Sequence, residues 1–250
     1  MKLLIILFGV LGLLLGSFGN MLLYRLKARA TFGGRSFCPH CKHTIAPYDL
    51  IPVLSYVALG GKCRSCKRVI SVGYPAIEVL SAGAFVLPLV LMNGDVVGAA
   101  LMGIALWSML LLSVYDAKYQ QIPDLFTVIV ALVATVLVLL GYTEWKDALL
   151  GTGVAVGWFA LLLVISRGKA VGIGDLFLAG ALGALVGLVG SITMLVTSYI
   201  IGAITILGLL GVRKITTIHD QRIAFGPFLV LGVLSALLGT GEWYLQLLGW

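Results

Sequence analysis

The sequence predicts an all-α polytopic membrane protein with about eight transmembrane helices. Of its 250 residues, 60% are hydrophobic and only 11% are charged, and the mean hydropathy is +1.11. Soluble domains are about half apolar and about a quarter charged, so a soluble fold of this composition could not cover its own surface. The apolar runs are also long enough to cross a bilayer.

Each predicted span corresponds to one apolar run of the sequence. The eight runs cover residues 2–24, 75–92, 96–115, 124–141, 147–166, 175–189, 191–211 and 225–240. Only Gly190 and Ser191 separate the sixth run from the seventh. A weakly amphipathic tail, 241–250, follows the last run, and its aromatic residues suit a membrane interface. No internal repeat is visible in the sequence.

The lysines and arginines predict that the N-terminus lies outside and the first long loop lies in the cytoplasm. In this orientation 15 of the 17 basic residues are inside, all except Lys2 and Lys146, as the positive-inside rule requires. The positions of the basic residues therefore explain the net charge of +7, which predicts no nucleic-acid partner. The basic loop 212–224 is expected to contact lipid headgroups. The first run resembles a secretory signal peptide, but the basic residues of 25–35 predict an uncleaved span.

The one polar stretch long enough to fold outside lipid, 25–74, contains all four cysteines. They form two C-x2-C pairs, "CPHC" with Cys38 and Cys41 and "CRSC" with Cys63 and Cys66. This spacing is typical of a zinc site of four thiolates, and four protein ligands make such a site structural. The predicted division is a first transmembrane helix (1–24), a small cytoplasmic four-cysteine zinc-binding loop domain (25–74) and a transmembrane core (75–250).

Two alternatives concern this loop domain. The four cysteines could form two disulfides, but the predicted orientation places them in the reducing cytoplasm, which disfavours disulfides. His40 and His43 lie beside the first pair. They are either spare metal ligands or solvated loop side chains, and the second interpretation is favoured.

Three of the ten acidic residues are informative because they lie at the ends of predicted spans. These are Asp116, Asp124 and Asp175. Two spans separate Asp116 from Asp175, so both acids return to the cytoplasmic face. Four other acids fall in or next to outer loops or the tail and need no function: Asp95, Glu144, Asp147 and Glu242.

Asp116 and Asp175 suggest acid–base chemistry. Inserting a lone carboxylate near the bilayer costs roughly 2.5–3.5 kcal/mol, so retained acids there usually line a site or a water-filled cavity. Two carboxylates brought close together share a proton. The ionised acid can then activate a water while the protonated acid polarises a carbonyl, which is aspartic-protease chemistry. Gly172 and Gly174 would let the chain turn sharply and let an extended substrate approach Asp175.

Other interpretations of these acids stay open. Asp175 could cap a helix after a glycine turn, and Asp124 could stabilise the start of a span through the helix dipole. A proton-coupled transporter is the second function class, because intramembrane acids also mark ion pathways. A zinc-bearing membrane scaffold is the third, and it would tolerate neutral replacement of both acids.

Five stretches carry a resemblance to a known family. "VGIGD" (171–175) matches the G-x-G-D motif of intramembrane aspartyl proteases. "GSFGNMLLYRL" (16–26), "YDLIPVLSYVALGGKCRSCKRVISVGYPAIE" (48–78), "YDAKYQQIPD" (115–124) and "RIAFGPFLVLG" (222–232) resemble, in the same order, motifs of type IV prepilin peptidases. The matches are collinear and extend over nearly the whole chain.

The resemblance implies a bifunctional enzyme of the bacterial inner membrane. Such enzymes cut the basic leader from type IV prepilins or type II secretion pseudopilins after a glycine, at the cytoplasmic face. They then methylate the new N-terminal amine with S-adenosylmethionine. By motif matching, Asp116 and Asp175 take the catalytic roles, Asp124 a supporting one, and the four cysteines bind zinc.

The methyl-transfer site is supported by the resemblance alone, since the sequence has no glycine-rich S-adenosylmethionine fingerprint. Glu78, at the start of the second span, matches a family position and is assigned to that activity as a supporting residue. An ordinary N-terminal helix charge is the alternative. Arg222 and the "FGPF" turn are expected to shape the cytoplasmic mouth of the site, although Gly226 and Pro227 also suit an ordinary helix start.

Overall fold

The computed structural model describes residues 1–168, 171–211 and 224–239. The predicted tail 241–250, Arg222 and nearly all of the loop 212–224 lie outside the described residues. The described part is helical, with two isolated β-bridges. Its helices are α1 (Lys2–Ala28), α2 (Leu54–Ala58), α3 (Gly73–Leu91), α4 (Val96–Tyr119), α5 (Asp124–Leu139), α6 (Trp145–Ile165), α7 (Ile173–Gly211) and α8 (Gly226–Leu237), with a 3-10 turn at Pro47–Leu50.

The helices confirm an all-helical fold with several candidate membrane spans. Five of those in the described part are long and apolar enough to cross a bilayer, namely α1, α3, α4, α6 and α7, while α5 and α8 are shorter apolar helices. The predicted count of eight spans is not confirmed. The difference arises from the length of α5 and α8 and from α7, which joins the sixth and seventh predicted runs in one element.

The chain forms two compact units, Met1–Leu111 and Leu112–Trp250. In unit 1, α1 packs against α3. Glycines let the two backbones approach, because a Cβ on Gly12 would overlap the backbone of Ser81 and Ala82, and one on Gly16 would overlap Glu78. Close approach at small residues is a common way for helices to associate in a membrane.

In unit 2, α7 packs against α5, α6 and α8. The helix is interrupted at Gly187, whose φ of 71° and ψ of −171° are not helical. The sequence predicted this break at Gly190 and Ser191, three residues later. Glycine adopts a positive φ at little cost, and any Cβ on Gly187 would overlap the Asp147 carboxylate. The close approach of Asp147 therefore explains why the break lies at Gly187.

The two parts of α7 run in opposite directions along α6. Before the break, Gly180 lies against Val156 and Gly183 lies against Gly151, so this part is antiparallel to α6. After the break, the Leu188 N–H donates to Asp147 Oδ1 at 3.0 Å. Further along, Trp158 Nε1–H donates to the Tyr199 hydroxyl at 3.0 Å. Between these two contacts the position in α6 advances by eleven residues, from 147 to 158, and the position in α7 advances by eleven as well, from 188 to 199. The second part of α7 is therefore parallel to α6, and the chain reverses at Gly187.

Candidate active site and metal centre

Asp116 lies one turn before the end of α4 and is only 5% exposed. The backbone N–H of Gly226, the first residue of α8, donates to Asp116 Oδ2 at 2.9 Å. A Cβ on Gly226 would lie 2.8 Å from that oxygen and 3.2 Å from Leu112. The "FGPF" turn therefore does more than begin a helix, because its glycine allows α8 to bind the buried carboxylate.

Asp175 lies in the first turn of α7 and is partly buried. The Gly172 N–H donates to Asp175 Oδ2 at 2.9 Å, which is the helix-start contact considered as an alternative in the sequence. Gly174 faces the loop between α4 and α5, because a Cβ there would lie 3.6 Å from Ile122. Of the two glycines of the G-x-G-D motif, Gly172 therefore binds the Asp175 carboxylate and Gly174 lies against this loop.

The structure brings Asp116 and Asp175 close enough for their charges to interact. Each carboxylate uses Oδ2 to accept one backbone N–H. In the described part of the chain, neither Oδ1 accepts a hydrogen bond. Asp124 is exposed as the first residue of α5, where its negative charge suits the helix N-terminus.

A cluster of aromatic side chains begins near Asp175 and includes two residues, Tyr199 and Phe159, that the sequence analysis did not single out. The Tyr199 hydroxyl is close enough to interact with the Asp175 charge. The Tyr199 and Phe225 rings have centroids 5.2 Å apart, and the rings of Phe225 and Phe159 are 6.1 Å apart. The resemblance covered Phe225 but contained no signal for Phe159 or Tyr199, because both lie inside long apolar runs.

The four predicted metal ligands also come together. The sulfur atoms of Cys38, Cys41, Cys63 and Cys66 all lie within 4.8 Å of one another. The Sγ atoms of Cys38 and Cys66 are 3.9 Å apart. A tetrahedral zinc site with Zn–S bonds of about 2.3 Å requires S···S distances of about 3.8 Å, so the donor set and its size suit zinc. All four cysteines are free thiols, so the alternative of two disulfides does not describe this structure.

Two matching turns build this centre. In the first, the Cys38 N–H donates to His43 O, Lys42 N–H to Cys38 O and Ile45 N–H to Ser36 O. The same three hydrogen bonds recur 25 residues later, from Cys63 to Arg68, Lys67 to Cys63 and Ile70 to Gly61. The bridges Phe37–Thr44 and Lys62–Val69 repeat as well. The domain therefore contains a short internal repeat that was not visible in the sequence.

Two of the four thiols, Cys38 and Cys66, differ in their affinity for protons. The pKa of Cys38 falls to about 7, mainly because the backbone of Cys41 hydrogen-bonds to its sulfur. At Cys66 a backbone hydrogen bond from Arg68 lowers the pKa, but burial and the neighbouring sulfurs outweigh it and raise the pKa to about 11. His40 and His43 are exposed, and His40 Nδ1 lies 3.3 Å from an Arg68 nitrogen. Neither belongs to the cluster, in agreement with the solvated interpretation.

Glu78 lies in the second turn of α3 and is 8% exposed. Its Oε2 accepts the Val53 N–H at 2.7 Å. Val53 has φ 61° and ψ −49°, and the Leu54 N–H bonds to Pro52 O at 2.5 Å, so residues 52–54 form a γ-turn. A β-branched residue in this conformation is strained by roughly 1–3 kcal/mol. Glu78 therefore holds a strained loop and is more than a charge at a helix start.

The fold and this arrangement define the class as a helical membrane protein with two interacting acids and a four-cysteine centre. Residues 10–92 match the family described as Bacterial Peptidase A24 N-terminal domain. Residues 103–207 match the Type IV leader peptidase family. The chain belongs to this family, which confirms the resemblance found in the sequence.

Curated relatives extend over most of the chain. A prepilin leader peptidase/N-methyltransferase of Pseudomonas aeruginosa is 32% identical over 96% of this chain and 93% of its own length. The type 4 prepilin-like proteins leader peptide-processing enzyme of Escherichia coli is 32% identical over 90% of both chains. A prepilin leader peptidase/N-methyltransferase of Aeromonas salmonicida is 34% identical over 85% of this chain and 75% of its own length. No solved structure matches the chain.

Proposed function

We propose that this chain is a membrane aspartic endopeptidase that removes the basic leader from type IV prepilins or type II secretion pseudopilins. It cuts after a glycine at the cytoplasmic face and then methylates the new N-terminus. The observation that carries this proposal is the pairing of Asp116 with Asp175, whose charges interact. Family membership and the names of the curated relatives support it.

In the proposed reaction the two aspartates share one proton and bind a water between their Oδ1 atoms. The ionised acid takes a proton from this water, and the water oxygen adds to the scissile carbonyl carbon. The other acid donates its proton to the carbonyl oxygen. When the tetrahedral intermediate collapses, the C–N bond breaks and the leaving amine takes a proton from the pair. The N–H groups of Gly226 and Gly172 hold the two carboxylates in position.

The proposed topology is N-terminus outside, with the zinc domain and both aspartates at the cytoplasmic face of the bacterial inner membrane. The distribution of lysine and arginine supports it. The reversal of α7 at Gly187 supports counting α7 as two spans, which would restore the predicted eight. The division into a first helix (1–24), a four-cysteine domain (25–74) and a core (75–250) remains a proposal.

The four cysteines would hold a structural zinc ion, and zinc would supply a cross-link between the two turns of the loop domain. S-adenosylmethionine is the proposed methyl donor, with Glu78 as a supporting residue. The methyltransferase names of the relatives support a donor site. Gly172, Gly174 and Asp124 are proposed as supporting residues of the peptidase site. Prepilins, pseudopilins and membrane lipid are the proposed partners.

The test is leader removal from a co-expressed prepilin, followed by gel shift, for wild type, Asp116→Asn and Asp175→Asn. Each substitution keeps the size of the side chain but removes its carboxylate chemistry. We expect each to slow cleavage by about 10²–10⁴-fold, the usual contribution of acid–base catalysis.

Glu144→Gln is the matched control, because Glu144 is an exposed acid in the same unit and has no proposed role. It should insert equally well and keep most of the activity. Near wild-type cleavage by Asp116→Asn or Asp175→Asn would remove that residue from the mechanism. Ion flux that depends on both acids, without cleavage, would favour a proton-coupled transporter instead.

A further inference from the structure

Tyr199 joins three helices of unit 2, and the proposed peptidase reaction gives it no task. It lies in the second part of α7, after the reversal at Gly187. Its ring centroid is 6.0 Å from that of Trp158 in α6 and 5.2 Å from that of Phe225, which lies at the start of α8. The three rings therefore fix the position of the tyrosine from two neighbouring helices.

The Tyr199 hydroxyl has a hydrogen that is free to donate. Trp158 Nε1–H donates to the hydroxyl oxygen at 3.0 Å. An indole N–H acts only as a donor, whereas a phenol both donates and accepts, so this contact leaves the hydrogen of the hydroxyl unused. Among the residues that the structure describes, no group accepts it. Because the indole occupies one side of the oxygen, the hydrogen is directed away from Trp158.

Asp175 is the charged group close enough to interact with this hydroxyl. Its Oδ2 accepts the Gly172 N–H, and a carboxylate can accept several further hydrogen bonds. In the described part of the chain the hydroxyl and the carboxylate do not hydrogen-bond directly. Asp175 is only partly buried and Tyr199 is 37% exposed, so a water can reach both. A bridging water is nearly as favourable as a direct hydrogen bond.

The second part of α7 also packs on the start of α8, which binds the other aspartate. Phe225 immediately precedes Gly226, whose N–H donates to Asp116 at 2.9 Å. Beside the tyrosine, Ser198 Oγ–H donates to the Phe228 carbonyl at 2.9 Å. The second part of α7 thus contacts the start of α8 on both sides of the glycine that binds the carboxylate.

We infer that Tyr199 is a positioning residue of the proposed peptidase site and links its two aspartates. Its hydroxyl, oriented by Trp158, donates through a water to Asp175, and its ring holds the turn that binds Asp116. The inference rests on the proposed peptidase function and adds a residue to it. Misplacing a reacting group by about 1 Å can cost about 100-fold in rate, so a side chain that contacts both halves of the pair affects the chemical step.

The first experiment measures kcat and KM for prepilin cleavage by the purified full chain. Tyr199→Phe removes only the hydroxyl, and we expect kcat to fall about tenfold, the usual cost of one hydrogen bond to a charged group, with KM unchanged. Tyr199→Leu also removes the ring and should lower kcat by about 100-fold. A wild-type kcat for Tyr199→Phe, or a raised KM with unchanged kcat, would overturn the inference.

Tyr142→Phe is the matched control for the loss of a hydroxyl. Tyr142 lies in the loop before α6, at the far end of that helix from Asp175, since Gly180 lies against Val156 and Gly183 against Gly151. This variant should keep the wild-type kcat. Thermal unfolding of each variant shows whether a loss of rate reflects a loss of folded protein, and Tyr199→Phe should keep the wild-type Tm.

A double-mutant cycle tests whether Trp158 acts through the tyrosine. Trp158→Phe keeps an aromatic ring but loses the N–H donor, and it should lower kcat in the wild-type chain. In the Tyr199→Phe background it should have no further effect, because coupled residues are not additive. Trp145→Phe, at the start of the same helix, is the control and should change neither background. Additive losses from Trp158→Phe and Tyr199→Phe would overturn the proposed link.

Asp116→Asn and Asp175→Asn, measured in the same assay, separate the two levels of the argument. If both slow cleavage while Tyr199→Phe cleaves at the wild-type rate, the role of Tyr199 is wrong and the peptidase proposal stands. If neither slows cleavage, the peptidase proposal fails and the inference fails with it, whatever Tyr199→Phe shows.

Discussion

At the scale of single residues, the contact between Gly226 and Asp116 shows how a distant segment can shape a proposed catalytic group. The two residues are 110 positions apart, and the Gly226 N–H donates to the carboxylate at 2.9 Å. A side chain at position 226 would occupy the space of Asp116 Oδ2. The position of that carboxylate therefore depends on the start of α8.

Gly226→Ala should reduce prepilin cleavage by about tenfold or more, with little loss of inserted protein. The added methyl group would push the carboxylate or α8 away, and a shift of about 1 Å in a reacting group can cost about 100-fold. The measurement is the rate of leader removal. Gly157→Ala is the control, because a Cβ there meets nothing within 4 Å. Equal rates for the two variants would show that the contact has no role.

Individual acids were predictable from the sequence because a carboxylate in an apolar run is conspicuous. Asp116 and Asp175 could be proposed as a pair from the number of spans between them. Their backbone donors could not be predicted, since a glycine N–H has no side-chain signal. Tyr199 lies in a long apolar run, and the reversal of α7 at Gly187 brings it near Asp175.

At the scale of helices, the break in α7 depends on a residue that the sequence analysis left without a role. Asp147 was predicted to lie near an outer loop and to need no function. In the structure its Oδ1 accepts the Leu188 N–H, the first donor after the break. The start of a helix leaves N–H groups without partners, so Asp147 caps the second part of α7 from a neighbouring helix.

Asp147→Ala should destabilise unit 2 by about 1 kcal/mol, the usual effect of losing a helix cap. For a chain of this size we expect Tm to fall by roughly 2–4 °C, measured by thermal unfolding in detergent. Asp147→Asn keeps an acceptor oxygen and should recover most of the loss. Glu144→Gln, three residues earlier, should leave Tm unchanged. A loss with Asn as large as that with Ala would contradict the capping role.

Helix existence was predictable, and helix interruption was not. The predicted runs 75–92 and 147–166 lie within two residues of α3 and α6 at each end, because long apolar runs locate spans well. Gly187 has no distinctive neighbours in the sequence, and glycine is common throughout this chain. Its special conformation results from the approach of Asp147, which is a tertiary contact.

At the scale of the whole molecule, the candidate residues fall into two units. Asp116 and Asp175 belong to unit 2, while Glu78 and the four-cysteine centre belong to unit 1. Both turns of the four-cysteine centre also line a cavity of about 450 Å³ in unit 1, through Phe37 and His43 in one and Arg68 and Ile70 in the other. A metal bound by the four cysteines would therefore hold the two turns that line this cavity.

Removing the metal should expose the two turns of the loop domain to proteolysis. After treatment with a strong chelator, we expect trypsin to cut within 36–70 at least tenfold faster than in the zinc-loaded protein. Metal ligation commonly contributes to folding, and here that contribution would lie in the two turns that carry the cysteines. Metal content is followed by elemental analysis, and added zinc should restore protection. Equal digestion of zinc-loaded and fully metal-free protein would contradict this dependence.

The reversal at Gly187 leaves Asp175 on an unusually short helix. The first part of α7, 173–186, contains 14 residues and is about 21 Å long at 1.5 Å per residue. A bilayer has a hydrocarbon core about 30 Å thick, and α5 and α8, with 16 and 12 residues, are also short. In the proposed topology such hydrophobic mismatch would thin the surrounding lipid. Headgroups and water would then be drawn towards Asp175, so that the thickness of the membrane would govern access to the aspartate.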